Sequence, residues 1–241
     1  MQVVNINILN FKIMKIRTIK SLFVIGFILL AFGSLEVSAQ SVNSINRNGI
    51  RTAKYGLQEW SASNLNVSAF RNGDAIPEAK TKDEWLKAAS GGKPAWYYFK
   101  DNPENGQKYG KLYNWYALND PRGIAPTGWR IPTNEDWMTL VKNLQGVDYA
   151  GPKLKNITGW KSKNGINKIG FSALPAGLRE ENGDFNFLGT VSQWWSNTEP
   201  VEVTKSNLIY SVKLNDNTVE VSYVKVLKGT GLSVRCVRDV K

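Results

Sequence analysis

Histidine is absent from this 241-residue chain, and cysteine occurs once, as Cys236. Without histidine the chain lacks the commonest general base, the commonest zinc ligand and any Ser-His or Cys-His nucleophile pair. A single cysteine permits no intramolecular disulfide, so stability has to come from buried apolar surface. Long apolar runs are missing too. The most apolar stretch, residues 21–33, has thirteen residues, short of the roughly 20 that a membrane span needs. Blocks of like charge are also missing. Lys and Arg number 31 against 20 Asp and Glu, a net charge of +11, but the cations are scattered among Asn, Ser and Gly. That pattern reads as a solvated basic surface and not as a nucleic-acid footprint.

What is present begins with an export signal. Lys15, Arg17 and Lys20 form a basic n-region, residues 21–33 an apolar h-region, and Val37-Ser38-Ala39 a small-residue cleavage site, with Gln40 as the mature start. The alternative is an uncleaved membrane anchor. Met14 stands directly before the basic run, so residues 1–13 read as a start-site extension. Residues 1–39 hold four basic residues and one acidic one, which leaves the mature chain at +8. Residues 40–52 read as a flexible lead-in, and residues 53–241 as one domain without a Pro/Ser-rich linker.

The chain is organised around residues 126–137, Pro-Thr-Gly-Trp-Arg-Ile-Pro-Thr-Asn-Glu-Asp-Trp. Thr133 and Asp136 make a capping box, and Trp137, Leu140, Val141 and Leu144 mark one helical face that ends near Gly146. Thr81 and Glu84 open a second helix ahead of Trp85, which stops at Gly91-Gly92. Strands are expected at residues 55–60, 96–99 and 194–196 and, by alternation, at 208–214, 219–223 and 232–236, with turns at Asn182-Gly183 and Asn215–Asn217. Residues 146–170 read as a long weakly structured excursion of the kind that carries binding loops. Two short helices, many short strands and long loops make an α+β fold.

Six ordered motifs then carry a resemblance. They are Trp60-Ser61-Ala62-Ser63-Asn64-Leu65-Asn66, Tyr109-Gly110-Lys111-Leu112-Tyr113-Asn114-Trp115, Gly128-Trp129-Arg130-Ile131-Pro132-Thr133, Phe171-Ser172-Ala173-Leu174-Pro175-Ala176-Gly177, Trp195-Ser196 and Ser233-Val234-Arg235-Cys236. From about Ala53 onward the chain resembles the Fibrobacter succinogenes major paralogous domain. That family resembles a branch of the C-type-lectin-like fold and is similar to the formylglycine-generating enzymes, whose signature is echoed from Arg130 to Trp137. The resemblance implies an exported domain of a Gram-negative bacterium. It also makes Trp60, Trp115, Trp129, Arg130, Pro132, Thr133, Trp137 and Cys236 a structural signature. Members often carry a cysteine where this chain has Ala125, so Cys236 is expected to be a buried core residue without a partner. Formylglycine chemistry depends on a cysteine pair, which this chain lacks.

Candidate ligand-binding residues are Trp160, Trp194 and Trp195, with the Tyr97/Tyr98 cluster and Arg179, as a stacking surface for a sugar or peptide. Trp85, Trp129 and Trp137 are expected in the core. Asn197, Glu199 and Asp216, or alternatively Asn182 and Asp184, are the candidate oxygen ligands for calcium; Asn and Asp there also read simply as turn formers. Glu180, Glu181 and Asp184 are too close in sequence to supply the separated carboxylates of a glycosidase. The resulting expectation is a secreted, cell-surface or periplasmic binding or adhesion module, not an enzyme. It would take a glycan or a cell-surface protein, with no cofactor and no nucleic-acid partner. The alternatives are a degenerate relative of formylglycine-generating or sulfatase-modifying enzymes, or a structural envelope protein.

Overall fold

The computed structural model describes residues 51–199 and 207–240, together with a strand at Ser44–Ile45. The expected signal peptide and start-site extension, and residues 40–43 and 46–50 of the expected lead-in, lie outside the described residues. In chain order the strands are β1 (Ser44–Ile45), β2 (Arg51–Tyr55), β3 (Gln58–Ser61), β4 (Trp96–Tyr97), β5 (Leu112–Tyr113), β6 (Ala176–Arg179), β7 (Phe185–Leu188), β8 (Val191–Trp195), β9 (Leu208–Asn215), β10 (Val221–Leu227) and β11 (Val237–Asp239). The helices are α1 (Lys82–Ser90), α2 (Pro103–Tyr109), α3 (Trp115–Leu118), α4 (Asn134–Asn143) and α5 (Val147–Leu154). This is a mixed α+β architecture. No helix among the described residues is long and apolar enough to cross a membrane.

The two expected capping boxes form. Thr81 and Glu84 exchange side-chain and backbone bonds at α1, as do Thr133 and Asp136 at α4. Three further helices appear: α2, where residues 101–106 read as a turn; α3, at the end of residues 109–116, which read as a strand or short helix; and α5, in the expected excursion. Asn102 caps α2, with Pro103 in its first turn, and Asn114 caps α3 through a bond from the Ala117 N–H. The excursion from Gly146 is not structureless. Gly146, at φ +88°, starts α5, and its N–H reaches back to the Val141 carbonyl at the end of α4. A left-handed glycine thus closes one helix and opens the next.

The strand expected at residues 55–60 is a hairpin, because Gly56 at φ +60° reverses the chain between β2 and β3. The β-prone run at 96–99 keeps only its first two residues in a strand. Phe99–Asp101 turns into a 3-10 segment with Lys100 and Asp101 in the left-handed region. Residues 232–236 make isolated bridges, and the last strand is β11. The lead-in itself contributes β1, which pairs with β2.

Two larger sheets result. One has the order β1-β2-β3-β11 and so joins the two ends of the domain. The other has the order β10-β9-β8-β6-β7, antiparallel except between β6 and β8, with β7 and β10 at its edges. Strand β9 lies inside this sheet, so its burial departs from simple alternation. Ile209, Ser211, Val212 and Leu214 are all covered.

Tryptophans hold the core. Trp60, Trp137, Phe171 and Trp194 make one aromatic cluster, with ring centroids 4.6 Å apart for Trp60–Trp137 and 5.6 Å for Trp137–Trp194. Each such pair contributes about 0.5–1.5 kcal/mol beyond its burial. Their indole N–H groups also bond distant backbone, as Trp85 does to the Gly229 carbonyl and Trp195 to the Tyr113 carbonyl. Four buried cations complete the bracing: Lys111, Lys155, Arg179 and Arg235. None of these four has a carboxylate partner in an ion pair among the described residues. Each is bonded to backbone carbonyl oxygens: Lys111 to Asn66, Lys155 to Asn215 and Thr218, Arg179 to Ala79 and Thr81, and Arg235 to Ser61 and Phe171.

Candidate functional site

Burial overturns the stacking surface expected at the tryptophans. Trp194 and Trp195 have no exposed surface, and Trp160 is 5% exposed with its indole N–H bonded to the Ala173 carbonyl. These side chains were read as a platform because they cluster in the sequence, but the sheet and the excursion close over them. Tyr97 is buried as well, and Tyr98 half-buried. Arg179 is likewise internal. Its guanidinium lies 4.5 Å from the Trp85 ring centroid and 4.7 Å from that of Phe185. Burial pulls its pKa down to about 10, so it stays charged at neutral pH.

The candidate calcium ligands do not meet. Asn197 follows β8 and donates its backbone N–H to the Pro132 carbonyl, beside the start of α4. Asp216 lies across from the other end of β8, where its N–H bonds the Thr190 carbonyl. A strand of this length separates the two by roughly 20 Å, too far for one ion. Glu199 faces Lys228 at 3.6 Å. Asp216 is buried and accepts a bond of 2.8 Å from Ser162 Oγ. Among the described residues no group of three or more His, Cys, Asp or Glu side chains is placed to hold a metal.

The motif residues form the scaffold. Asn64 is a hub whose Oδ1 accepts from Trp194 and Arg235, and whose amide donates to the Tyr109 carbonyl and Ser233 Oγ. Arg130 braces α4 through Asp136 and reaches Asp239 at 3.0 Å. Cys236 is buried in the core, which pushes its thiol up to about 12. Trp60, Trp115, Trp129 and Trp137 are all covered. A polar cleft of about 670 Å³ opens beside Lys54, Trp129, Arg130 and Arg238. Two of its cations are already paired, Arg130 with Asp136 and Arg238 with Glu59 at 2.7 Å.

The surface that remains open in chemical terms lies elsewhere, where the excursion meets the turn after β7. Asn182-Gly183 closes the β6–β7 hairpin, and Phe185 then packs on Phe99 at 5.2 Å. Strand alternation would put Phe187 on the same covered face. Instead Phe187 takes φ +67° and is 52% exposed. Left-handed backbone at a bulky residue costs on the order of 1–3 kcal/mol and persists only where its surroundings impose it. Here the Thr190 N–H and hydroxyl both bond the Phe187 carbonyl at 3.0 Å, and the Gly189 carbonyl accepts the Lys161 N–H at 2.8 Å.

The excursion on the other side of that bond alternates anchors and charges. Trp160 plugs the core, Ser162 bonds Asp216, and Asn164 Oδ1 accepts the Trp160 N–H at 2.9 Å. Between these anchors Lys161 and Lys163 are exposed, and Lys168 is exposed farther along. None of these three ammonium groups has a hydrogen-bond or ion-pair partner among the described residues. Lys168 lies close enough to Lys153 to help depress its pKa, after the effect of burial; the buried Lys155 is depressed by its burial, opposed by Asp216, with a smaller push in the same sense as burial from Lys163. The arrangement can present an aromatic face and a row of point charges. Phe187 carries no signal in the sequence, whereas the lysines do: no acid occurs between Asp148 and Glu180.

No curated protein matches this chain, and no solved structure does. The model of the Fibrobacter succinogenes major domain matches residues 53–238. That span contains every motif residue of the scaffold and the Phe187–lysine surface, and the chain therefore belongs to the Fibrobacter succinogenes major domain family.

Proposed function

We propose that this chain is an exported, non-catalytic binding module with a C-type-lectin-like arrangement, whose ligand is a glycan seated on Phe187 beside residues 159–164. The observation that carries the reading is Phe187 itself. A large apolar ring is held out in solvent on strained backbone and is fixed to a cation-bearing loop by the Lys161–Gly189 bond. Sugar rings present apolar C–H faces that stack on aromatic rings, and adjacent ammonium groups supply hydrogen-bond donors. A module of this kind needs no histidine, no cofactor and no metal. The signal peptide in the sequence supports a place outside the cytoplasm.

The test is a glycan array and polysaccharide pull-down with residues 40–241, comparing wild type with Phe187→Gly. Glycine suits the left-handed backbone, so the variant is expected to be at least as stable as wild type while losing glycan binding. Binding by wild type is expected to survive chelator. Equal binding by the two proteins would refute a role for Phe187. Failure of wild type to bind any glycan would move the assignment to a structural envelope role.

A further inference from the structure

We infer that the glycan is a polyanion, a polysaccharide bearing repeated carboxylate or sulfate groups that lies along Lys161, Lys163 and Lys168 from Phe187. This deepens the glycan reading above and rests on it. The first argument is local charge. From Tyr149 to Arg179 the chain has six cations and no acid. Two of the six, Lys155 and Arg179, are consumed internally by backbone carbonyls, and half-buried Lys153 bonds the Leu144 carbonyl at 2.7 Å. The remaining three are the exposed lysines. The nearest named carboxylate, Asp216, is buried beneath them and taken up by Ser162.

The second argument is self-repulsion. Lys168 disfavours the charged form of Lys153 after the effect of burial, and Lys163 does so at Lys155, where the buried Asp216 acts more strongly in the opposite sense. A row of like charges without counter-ions has unspent attraction for an anion, and a polymer with regularly spaced charges meets several at once. The third argument is form. The strip is exposed, and Lys161 and Lys163 alternate with anchored Trp160, Ser162 and Asn164, whose bonds hold the backbone that carries them. Lysine is a compact point charge that tolerates either carboxylate or sulfate, so the structure selects the charge and not the acid group.

The experiment measures binding of residues 40–241 to polygalacturonate, dextran sulfate and neutral dextran. It uses wild type, Lys161→Gln/Lys163→Gln, and a control of equal charge, Lys87→Gln/Lys93→Gln, taken from exposed lysines at the end of α1. The expected result is binding to at least one polyanion and not to dextran, weakened roughly tenfold by the loop pair and by raising salt from about 50 to 200 mM. The control pair should leave it within about twofold. The two polyanion arms identify the acid group. Equal weakening by both pairs would show that net charge alone acts and would overturn the inference. Dextran bound as tightly as the polyanions would overturn it while leaving the glycan reading intact. No binding to any glycan would end both.

Discussion

Asp136→Asn isolates the brace that seats α4. The carboxylate is 7% exposed. Its Oδ1 accepts from Gln58 at 3.0 Å and Arg130 at 2.8 Å, while Oδ2 accepts from the Thr133 N–H at 2.8 Å, the Thr133 hydroxyl at 2.9 Å and the second Arg130 nitrogen. An asparagine of the same shape removes the charge and turns a donor toward this ring of donors. Breaking a buried pair costs about 3–5 kcal/mol, and losing the cap contributes about 1 kcal/mol of that kind of loss. The Arg130 side chain is 41% exposed, so water recovers part of its interaction, and the expected cost is about 3 kcal/mol. For a domain of this size that lowers Tm by roughly 6–12 °C. The dependence on pH is the sharper test. Burial acts to raise the Asp136 pKa, but the bonds from Arg130 and Thr133 outweigh it and hold it below the usual aspartate value. A depressed carboxylate contributes stability that is present above its unfolded pKa and lost as pH falls through the folded one. Urea unfolding of both proteins from pH 7 down to pH 2 should show a gap that closes with acidification. A difference under about 1 kcal/mol at pH 7, or one that persists unchanged at pH 2, would refute the assignment of Asp136 as a charged brace.

Trp194→Ala should destabilise the domain by about 3–5 kcal/mol in denaturant titration, because the indole is fully enclosed against Trp137 and Phe171. A loss under about 1 kcal/mol would place it outside the core. Cys236 should resist a thiol reagent at pH 8 in the folded protein and react on addition of denaturant, as expected of a buried thiol pushed up to about 12. Fast reaction without denaturant would contradict its burial. Tyr223→Phe should leave Tm unchanged or raise it, since the hydroxyl is buried without a hydrogen-bond partner among the described residues; a fall of several degrees would mean the hydroxyl is bonded.

What was legible in the sequence was local. The entries to α1 and α4 follow from Thr81 with Glu84 and Thr133 with Asp136, because a capping box is complete within four residues. The Asn182-Gly183 hairpin and the β9–β10 pair were legible for the same reason. The fate of Trp194 was not, since its burial depends on Asn64, 130 residues away, and on Phe171. Exposure of Phe187 was hidden because alternation from Phe185 predicts the opposite face, and nothing in a phenylalanine encodes a positive φ. The lysine row was visible as an interval without acids, yet it averages out when charge is counted over the whole chain. The distance between Asn197 and Asp216 could only come from the register of β8 with β9.

Two kinds of strut brace the molecule: the buried cations Lys111, Lys155, Arg179 and Arg235, which end on peptide carbonyls, and partly exposed cations that end on carboxylates. Those ending on peptide carbonyls have no proton to gain on the acceptor side, so they are blind to acid. Those ending on carboxylates, the Arg130–Asp136 brace foremost, are proton-sensitive and sit near the surface. Acid should therefore loosen this protein from its rim inward, releasing α4 and its neighbours while Arg179 and Arg235 still clamp the interior. A chain whose single cysteine permits no intramolecular disulfide would then keep an ordered centre in surroundings sour enough to undo its edges.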